Sequence, residues 1–241
     1  MTTVGRLVTG VAVVIPTFNE AESIASVVGE LPRAIVKRVI VADGGSTDGT
    51  AECAREAGAD VISVGRGYGR ACLAGAQAAA DADIVVFMDG DGADDPAAIA
   101  ALVEPIRSGN YDFVIASRAR GKREPGSMAS HQLIAGHVIG WLTGLLYGVR
   151  YTDMCAFRAI RRDTLQRLGM RELTYGWNLE MQMRAARAGL RVLEVPVDYR
   201  NRLGGVSKVA GSLPGSMRAG AKIIATFARV AMEPLRRRAT P

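Results

Sequence analysis

The first half of the chain alternates short apolar runs, rich in valine and isoleucine, with longer alanine-rich segments. The apolar runs predict five strands, at residues 11–18, 38–43, 60–64, 83–89 and 112–117. Nearly every position within them is apolar, which is typical of strands covered on both faces of a sheet. The intervening segments have helical periodicity and predict helices at residues 21–31, 47–58, 69–80 and 95–107.

Strands and helices that alternate at this spacing indicate an α/β fold with a doubly wound, mostly parallel sheet and helices on both faces. Two helices have recognisable start signals. The acidic pair Asp94 and Asp95 stands before Pro96, and residues 46–48 place Ser, Thr and Asp before the second helix. Ligands in such sheets bind beyond the carboxyl ends of the strands. The residues that follow each run are therefore the first candidates for a binding site.

The second half of the chain is less regular. A basic loop over residues 118–128 precedes a strongly apolar helix at residues 130–149, and the last helix is predicted at residues 216–233 after a loop rich in glycine and serine. No internal repeat interrupts the pattern, so residues 1–241 are expected to form one domain with a basic C-terminal helical extension. Between the two helices the pattern predicts a strand, a helix and a strand, at residues 156–160, 177–188 and 191–199.

The formal net charge of +6 is distributed unevenly along the chain. Residues 1–116 carry 8 basic and 16 acidic side chains, residues 117–199 carry 13 and 7, and residues 200–241 carry 9 and 1, which gives net charges of −8, +6 and +8. Because the first half is acidic and aromatic residues make up only 5%, no continuous basic stripe or stacking platform for nucleic acid is expected. The basic second half indicates a different anionic partner.

Cysteine use and the N-terminal segment both favour the cytoplasm. Cys53, Cys72 and Cys155 are odd in number and have no CxxC pairing, which is typical of reduced thiols. Residues 1–10 lack the long apolar region of a signal peptide. The apolar stretch at residues 133–149 is shorter than the ~20 residues that a spanning helix needs, so no transmembrane segment is expected.

Polar clusters follow three of the predicted strands. Residues 16–20 (PTFNE) follow the first strand, residues 43–48 (DGGSTD) the second and residues 89–92 (DGDG) the fourth. In a parallel sheet these clusters are expected to meet at one edge. Asp89 and Asp91, one residue apart at a strand end, form a pair that can bind Mg²⁺ or Mn²⁺ together with phosphate oxygens of a substrate.

Each polar residue at this edge also has a purely structural interpretation. Asp and Gly are ordinary turn residues, and Asp94 or Asp95 either caps the next helix or helps to hold the metal. Asp43 is either a turn residue or an acceptor for a base amide or a ribose hydroxyl. Glu20 either starts the next helix or contacts the nucleotide. Arg66 brings a cation close to a nucleotide, although the glycine-rich turn that carries it is a common feature.

These motifs, in this order, resemble the family-2 glycosyltransferases of GT-A fold. The matching stretches are V-V-I-P-T-F-N-E, A-D-G-G-S-T-D-G-T, G-R-G-Y-G-R-A and F-M-D-G-D-G, and the resemblance covers roughly residues 10–210. It implies a nucleotide-diphospho-sugar donor, UDP- or GDP-linked, and a divalent metal, Mg²⁺ or Mn²⁺, held by Asp89 and Asp91. The resemblance implies that the donor is surrounded by Pro16, Thr17, Glu20, Asp43, Gly44, Arg66, Asp89 and Gly90.

The second half resembles the polyprenyl-phosphate sugar transferases, of which dolichol-phosphate mannose synthase is a familiar member. The similar stretches are S-R at residues 117–118, D-M-C-A-F-R-A-I-R-R, N-L-E-M-Q and Y-R-N-R-L-G-G-V-S-K. The resemblance implies that the donor diphosphate and the acceptor phosphate are bound by Arg118, by Arg200 or Arg202, and by Lys208. It divides the chain into a nucleotide-sugar-binding half, an acceptor-binding half and a C-terminal helix with a basic tail, at residues 10–116, 117–210 and 211–241.

One departure from the family pattern bears on the acceptor. Many family-2 enzymes that glycosylate a sugar hydroxyl have a Glu-Asp pair here, and the aspartate is the general base. In this chain the pair falls on Trp177 and Asn178, and an amide cannot remove a proton. A phosphate monoester is already an anion near neutral pH, so the departure favours a lipid-phosphate acceptor and an inverting, direct displacement. Glu180 is a substitute base, which leaves a hydroxyl acceptor on a glycolipid or glycan open.

An enzyme with a polyprenyl phosphate acceptor has to reach a membrane. The helix at residues 130–149 and the last helix, where Arg218, Lys222 and Arg229 stand beside apolar residues, are expected to lie peripherally on the cytoplasmic face of an anionic membrane. The alternative is that both helices pack on the sheet or on a second subunit, so a homo-oligomer stays open. The non-enzymatic alternative is a nucleotide-sugar-binding module without catalysis.

Overall fold

A computed structural model of the protein describes residues 10–204 and 213–233. Seven strands form one sheet: β1 Val11–Thr17, β2 Arg38–Asp43, β3 Asp60–Ser63, β4 Ile84–Phe87, β5 Phe113–Ser117, β6 Arg158–Arg161 and β7 Val192–Pro196. Their order across the sheet is β3-β2-β1-β4-β6-β5-β7. All five strands predicted from the apolar runs of the first half are present, with ends close to the predicted ones.

The sheet is parallel except at one strand. β1 pairs in parallel with β2 and β4, and β2 pairs in parallel with β3. β6 is antiparallel to both of its neighbours, β4 and β5, whereas β5 and β7 are parallel. The predicted α/β fold with a mostly parallel sheet is therefore confirmed.

Eight α-helices and a short 3₁₀ helix at Pro96–Ala98 accompany the strands in the described residues. Helix α6 was not predicted because its sequence, RDTLQRL, is short and mostly polar. The first helix begins three residues later than predicted, since the chain makes a turn in which the N–H of Ser23 donates to the carbonyl of Glu20 at 3.1 Å. The helices are α1 Ile24–Gly29, α2 Thr50–Glu56, α3 Tyr68–Ala78, α4 Ile99–Arg107, α5 Ser130–Tyr147, α6 Arg162–Leu168, α7 Trp177–Arg187 and α8 Leu213–Met232.

One of the two predicted helix caps is present. Asp95 precedes Pro96, and its carboxylate accepts a hydrogen bond from the N–H of Ala97 at 3.1 Å, as the sequence predicts. The other prediction was wrong, because the cap position of α2 is Gly49 in a left-handed conformation, with no side-chain cap. Asp48 instead accepts the N–H of Thr50 at 3.1 Å from outside the helix.

The core lies between the central strands and the helices that cover them. β1 and β4 are buried at every position, as the continuous apolar runs predict. Helix α3 approaches β1 closely at Gly75, where an added Cβ would collide with the side chain of Val14. This close contact fixes α3, and with it the loop that precedes α3, against the centre of the sheet.

Helix α5 packs on the rest of the protein through glycines. An added Cβ at Gly140 would collide with the carbonyl oxygen of Tyr151, and one at Gly144 would lie 3.3 Å from the Cβ of Arg150. The glycines therefore form the inward face of the helix. The chain segment that they contact, residues 150–153, leads directly into the loop before β6.

The large apolar side chains of α5 point outward instead. Ile134 is 64% exposed, Trp141 53% and Leu145 70%, and Val138 is also exposed on the same helical face. We call these four residues the α5 ridge. None of the helices in residues 10–204 and 213–233 combines the length and apolar character needed to cross a membrane.

Helix α8 is held on α7 by a group of ion pairs around three carboxylates, Glu172, Glu180 and Glu233, which we call the anchor cluster. Arg229 on α8 lies 3.0 Å from Glu180, and Arg184 on α7 lies 2.7 Å from Glu233. Glu180 is fully buried, and such a carboxylate is stable in the folded state only when cations and N–H donors surround it. The anchor cluster therefore fixes the position of the C-terminal helix.

Candidate active site

The carboxyl ends of β1, β2 and β4 lie side by side and carry the polar clusters found in the sequence. β1 ends at Thr17 and β2 at Asp43, and these two residues are register partners. The Thr17 hydroxyl donates to Asp43 at 3.3 Å, and the Thr17 carbonyl accepts the N–H of Gly44 at 2.8 Å. Pro16 and Gly44 therefore line the same edge as Asp43, as predicted.

Asp43 is buried and organises the turn that follows β2. Its carboxylate accepts the N–H groups of Gly45 and Ser46, both at 3.0 Å, and the Ser46 hydroxyl at 2.5 Å. The structural interpretation of Asp43 thus holds in the described geometry. A contact from Asp43 to a base or a ribose stays a prediction. In such a contact the Asp43 carboxylate would accept a further hydrogen bond besides those from the turn.

Arg66 lies over the aromatic ring of Phe18, with the guanidinium carbon 3.8 Å from the ring centroid. The two residues come from the loops after β3 and β1, so this stacking joins the G-R-G-Y-G loop to the first polar cluster. Arginine stacked on an aromatic face retains its hydrogen-bond donors. The pair therefore forms a flat wall at the side of the site where the sequence predicts the nucleoside.

Three carboxylates, Asp89, Asp91 and Asp94, crowd together in the turn after β4, and we call them the rim cluster. Asp94 accepts the N–H of Asp89 at 3.3 Å, and Asp91 accepts the N–H of Ala93 at 2.9 Å. Burial and the neighbouring charge of Asp91 raise the pKa of Asp89 to about 7. Burial and the same like charges raise the pKa of Asp94 well above its usual range. The site thus concentrates more negative charge than its surroundings neutralise.

Gly90 and Gly92 allow the turn to fit into this space. An added Cβ at Gly90 would lie 3.0 Å from the side chain of Thr17, and the carbonyl of Gly90 accepts the Ser23 hydroxyl at 2.7 Å. Gly92 has a φ of 79° and lies against Leu203, which leaves no room for a Cβ. The backbone conformation and the contact with Leu203 favour glycine at position 92, and the close approach of Thr17 leaves little room for a side chain at position 90.

Arg202 is the cation that meets the rim cluster. One of its terminal nitrogens lies 3.1 Å from Asp91 and 3.4 Å from Glu20. The backbone N–H of Leu203 donates to the carbonyl of Asp91 at 2.9 Å, which fixes this segment beside the turn. The Glu20 carboxylate thus shares this guanidinium with Asp91, while the Glu20 carbonyl accepts the N–H of Ile24 at the start of α1 at 3.0 Å, and its contact with the nucleotide stays a prediction.

The sequence left Arg200 and Arg202 as alternatives, and the structure separates them. Arg200 is drawn away from the rim cluster, to Glu30 at 3.0 Å and Asp95 at 2.8 Å. Of the two arginines, Arg202 is the one in position to meet a phosphate at the rim. Lys208, the third predicted cation of this segment, lies outside the described residues.

Arg118 is held by a buried carboxylate that the sequence did not single out. Its Nε and one terminal nitrogen donate to Asp153 at 2.8 and 2.7 Å, and its backbone N–H donates to the same group at 2.9 Å. Its guanidinium carbon lies 5.0 Å from the ring centroid of Tyr199. Burial acts to raise the pKa of Asp153, but the hydrogen bonds from Arg118 hold it below its usual range. The pair fixes Arg118 in one orientation and leaves the other edge of the guanidinium outside the ion pair.

A comparison with known protein families agrees with the sequence motifs and with this geometry. The model of the family "Glycosyl transferase family 2" matches residues 12–169. The chain belongs to glycosyl transferase family 2. It is therefore a transferase enzyme that uses a nucleotide-sugar, and its GT-A-type fold agrees with the expectation from its motifs.

Relatives of this family-2 transferase cover most of the chain. An uncharacterised glycosyltransferase from Mycobacterium tuberculosis is 38% identical over 211 residues, which are 86% of this chain and 93% of the relative. An undecaprenyl-phosphate mannosyltransferase from Micrococcus luteus is 34% identical over 224 residues, which are 85% of this chain and 89% of the relative. Both similarities extend past the end of the family match, into the second half of the chain.

A solved structure provides a similar fold with ligands. Glucosyl-3-phosphoglycerate synthase from Mycobacterium tuberculosis, in complex with Mn²⁺, UDP-glucose and phosphoglyceric acid, matches with a TM-score of 0.73 and 25% identity. The match covers 94% of this chain and 81% of the synthase chain. Neighbours of this transferase thus have a divalent metal and a nucleotide-sugar in their crystals.

The rim cluster of this transferase suits a hard divalent cation held jointly by protein and donor. In the part of the chain that the structure describes, no group of three or more His, Cys, Asp or Glu side chains is arranged to hold a metal by itself. Mg²⁺ and Mn²⁺ sites in such enzymes use one or two carboxylates and complete their shell with phosphate oxygens. Asp89 and Asp91 fit this requirement, since both have oxygens in the most acidic part of the site.

Glu180 does not fit the role of a substitute base in this transferase. Its carboxylate accepts the N–H groups of Arg171 at 2.9 Å and Glu172 at 2.6 Å, and it also contacts Arg184 and Arg229. Burial acts to raise the pKa of Glu180, but these donors hold it below its ordinary value. A fully buried carboxylate with four donors is a poor proton acceptor, so the predicted alternative loses its physical basis.

Two residues that face the site were missed by sequence reasoning. The Tyr68 hydroxyl donates to Asp89 at 3.3 Å, although the sequence drew attention only to the arginine and glycines of that loop. Asp153 begins the stretch D-M-C-A-F-R-A-I-R-R, but nothing in that stretch identifies it as the partner of Arg118. Pairings across 35 residues depend on the fold and have no local signal.

Proposed function

We propose that this family-2 transferase moves a sugar from a UDP- or GDP-linked donor to a polyprenyl phosphate, with inversion, at the surface of a membrane. Mg²⁺ or Mn²⁺, held by Asp89 and Asp91, is the proposed cofactor. The α5 ridge is the observation that carries the proposal. It is an exposed apolar face that starts close to the cations of the second half.

The α5 ridge supports a lipid acceptor because α5 exposes its large apolar side chains, which an ordinary surface helix buries. Helices on water-exposed surfaces normally turn large apolar residues toward the core and polar residues outward. In α5 the glycines face the core, while Ile134, Trp141 and Leu145 are more than half exposed. Apolar faces of this kind mark contacts with membranes or other proteins.

The position of α5 connects this apolar surface to the transfer site. Its glycine face lies on residues 150–153, and Asp153 holds Arg118. Exposed basic side chains adjoin the helix, including Lys122 and Arg123 in the preceding loop and Arg150 after it. Cations beside an apolar face favour an anionic lipid surface. A lipid with a phosphate head group and an apolar tail matches both features.

The residues at positions 178 and 180 support a phosphate acceptor over a hydroxyl acceptor, because neither of them suits the role of a base. Asn178 occupies the position of the general base, and Glu180 is buried among four donors. A hydroxyl nucleophile has to lose a proton during attack, whereas a phosphate monoester oxygen is already ionised near neutral pH. The acceptor oxygen can therefore attack the anomeric carbon directly.

In this mechanism one bond forms as another breaks. The acceptor phosphate oxygen forms a bond to the anomeric carbon from the face opposite the leaving group, and the bond from that carbon to the donor diphosphate breaks, which inverts the configuration. A bound divalent cation would neutralise charge on the leaving diphosphate. Asp89 and Asp91 hold the cation, and Arg118, kept in one orientation by Asp153, binds a phosphate.

Arg202 has an unused donor for the same task. Its Nε is buried and, in the described residues, donates no hydrogen bond. A buried donor without an acceptor is unfavourable, and a phosphate oxygen supplies the acceptor. We expect Arg202 to bind the diphosphate together with Lys208, which completes the predicted set of cations.

The acceptor is tested by comparing two kinds of acceptor under the same conditions. The purified chain with Mn²⁺ is incubated with UDP-glucose or GDP-mannose, and either undecaprenyl phosphate in anionic vesicles or phosphoglyceric acid, which has a free hydroxyl. We expect mass spectrometry to detect a lipid-linked sugar with one donor. Transfer to phosphoglyceric acid without transfer to the lipid phosphate would contradict the proposal.

The membrane surface is tested separately by vesicle flotation. The wild-type chain should float with vesicles that contain anionic lipid, and Trp141→Glu with Leu145→Glu should abolish flotation because two charges enter the apolar face. Tyr175→Glu is the matched control, since Tyr175 is 43% exposed but lies outside the α5 ridge. Equal flotation of the double variant and the control would show that the ridge does not contact lipid.

A further inference from the structure

Asn178 is fixed in place by two neighbours. Its backbone carbonyl accepts a hydrogen bond from Arg158 at 3.0 Å. Its side chain lies close to the hydroxyl of Tyr68, which donates to Asp89 at 3.3 Å. One side chain, that of Tyr68, therefore separates Asn178 from the carboxylate that is predicted to hold the metal.

Arg158 makes this arrangement rigid. The side chain is fully buried and bonds the carbonyls of Asn178 and Cys155. Its guanidinium carbon also lies 5.8 Å from the ring centroid of Phe113. A planar guanidinium that bonds two backbone carbonyls fixes their separation and direction. The start of α7, and with it the side chain of Asn178, is thus held in one position before any ligand binds.

The side-chain oxygen of Asn178 has no role in this network. It is buried, and among the residues that the structure describes nothing donates a hydrogen bond to it. Buried acceptors are nearly always satisfied by protein, by ordered water or by a ligand that displaces the water. A ligand group that reaches this oxygen has to be a hydrogen-bond donor, and an amide oxygen does not change its charge near neutral pH.

We propose that Asn178 is a specificity-determining residue that accepts a hydrogen bond from a hydroxyl of the donor sugar. The sugar of a bound nucleotide-diphospho-sugar lies next to the metal carboxylates, and Asn178 lies near them, beside Tyr68. In this role Asn178 recognises the sugar of the donor. It does not remove a proton from the acceptor. The inference concerns the donor and holds for a lipid phosphate or for any other acceptor.

The test measures binding of sugar and nucleotide separately. Dissociation constants of UDP-glucose, UDP, GDP-mannose and GDP are measured by calorimetry with Mn²⁺ for wild type and Asn178→Ala. For the donor that binds, we expect the nucleotide-sugar affinity to fall about tenfold, as for one lost hydrogen bond, and the affinity of the free nucleotide to stay unchanged. Asn201→Ala is the matched control, because it removes an exposed amide that bonds Pro125.

Donors that lack single hydroxyls identify the group that is read. Each deoxy-sugar nucleotide is measured with wild type and Asn178→Ala in a double-mutant cycle. We expect one deoxy position to weaken wild-type binding about tenfold and to have no further effect in the variant. An equal loss for sugar nucleotide and free nucleotide, or no loss for either, would overturn the inference.

Binding also separates this inference from the proposed acceptor. If wild type binds the donor but transfers nothing to undecaprenyl phosphate, the acceptor proposal fails while the Asn178 cycle still gives its result. Thermal unfolding of Asn178→Ala provides the fold control. A variant with reduced stability but unchanged discrimination among the deoxy donors would show that Asn178 is only structural.

Discussion

The rim cluster and the anchor cluster have the same chemistry and opposite electrostatics. In each cluster three carboxylates lie close together and are wholly or partly buried. In the rim cluster, burial and like charges raise the pKa of Asp89 to about 7 and that of Asp94 well above its usual range. In the anchor cluster, hydrogen bonds and cations outweigh burial and hold the pKa of Glu172 and Glu180 below their usual values.

The difference lies in how many cations each group of carboxylates receives. Among the described residues Arg202 alone forms an ion pair with the rim cluster, and Arg118 lowers the pKa of Asp89 and Asp94 only in part. Four cations contact the anchor cluster, namely Arg184, Arg187, Lys222 and Arg229. Charges that the protein neutralises itself stabilise the fold, and charges that it leaves in excess are available to a ligand. The difference supports the predicted binding role of the rim cluster and a structural role for the anchor cluster.

The largest expected effect is the loss of activity when the rim cluster is changed. Asp91→Ala removes a carboxylate predicted to hold the metal, and we expect transfer to fall by at least about 10³-fold, because stabilisation of the leaving diphosphate is lost. Transfer assays with Mn²⁺ measure this, together with the increase in Tm that Mn²⁺ and the donor cause in wild type.

The control for Asp91→Ala comes from the same turn. Asp95 caps the 3₁₀ helix and pairs with Arg200, so Asp95→Ala removes a carboxylate that the site does not use. We expect this variant to retain transfer within about tenfold of wild type, since its effect is on local stability. Full metal-dependent activity of Asp91→Ala would contradict the assignment of the rim cluster.

A smaller but clear effect on stability is expected in the anchor cluster. Glu180→Gln removes a fully buried charge while Arg184 and Arg229 remain, and we expect the free energy of unfolding to fall by about 3 kcal/mol. Urea unfolding measures the loss. Asp163→Asn is the matched control, because its pair with Arg167 is exposed and is expected to contribute below about 0.5 kcal/mol. Equal losses of unfolding free energy in the two variants would contradict a special structural role of the anchor cluster.

The smallest expected effect is a gain in stability at the rim. Because the pKa of Asp89 is raised in the folded protein, the unfolded chain releases this proton first, and stability of the metal-free protein falls as pH rises from about 4 to about 7. Asp89→Asn should flatten this dependence and stabilise the metal-free protein at pH 8 by about 1 to 2 kcal/mol. Thermal unfolding in EDTA between pH 5 and pH 8 measures both. If Asp89→Asn were less stable than wild type at pH 8, the conclusion that the rim cluster carries excess negative charge would be wrong.

The central part of the fold could be predicted because its signals are local. A parallel strand covered on both faces is apolar at each position, so β1, β2 and β4 were evident from the sequence. The carboxyl ends of these strands then located Asp43, Asp89 and Asp91 at one edge. Helix α6, which is short and polar, offered no such pattern.

The roles of buried charges could not be predicted because they depend on distant partners. Nothing near Glu180 in the sequence distinguishes a carboxylate that accepts four donors from a base at the site. Arg158 stands among several arginines, and only the packing of β6 between β4 and β5 buries it. The exposed apolar face of α5 could not be predicted either. Glycines usually indicate the end of a helix, and only the contact of these glycines with residues 150–153 shows that they form its buried face.

The contact of Arg202 with Asp91 gives the rim an internal counter-ion. If Asp91 holds the metal, its ion pair with Arg202 would have to be given up or shared, so the measured metal affinity would include the strength of this ion pair. The backbone bond from Leu203 to Asp91 keeps this segment beside the turn, so a guanidinium that left Asp91 would remain within reach of the proposed diphosphate. On this proposal one arginine would serve two anions in succession, first the protein's own carboxylate and then the donor's phosphate.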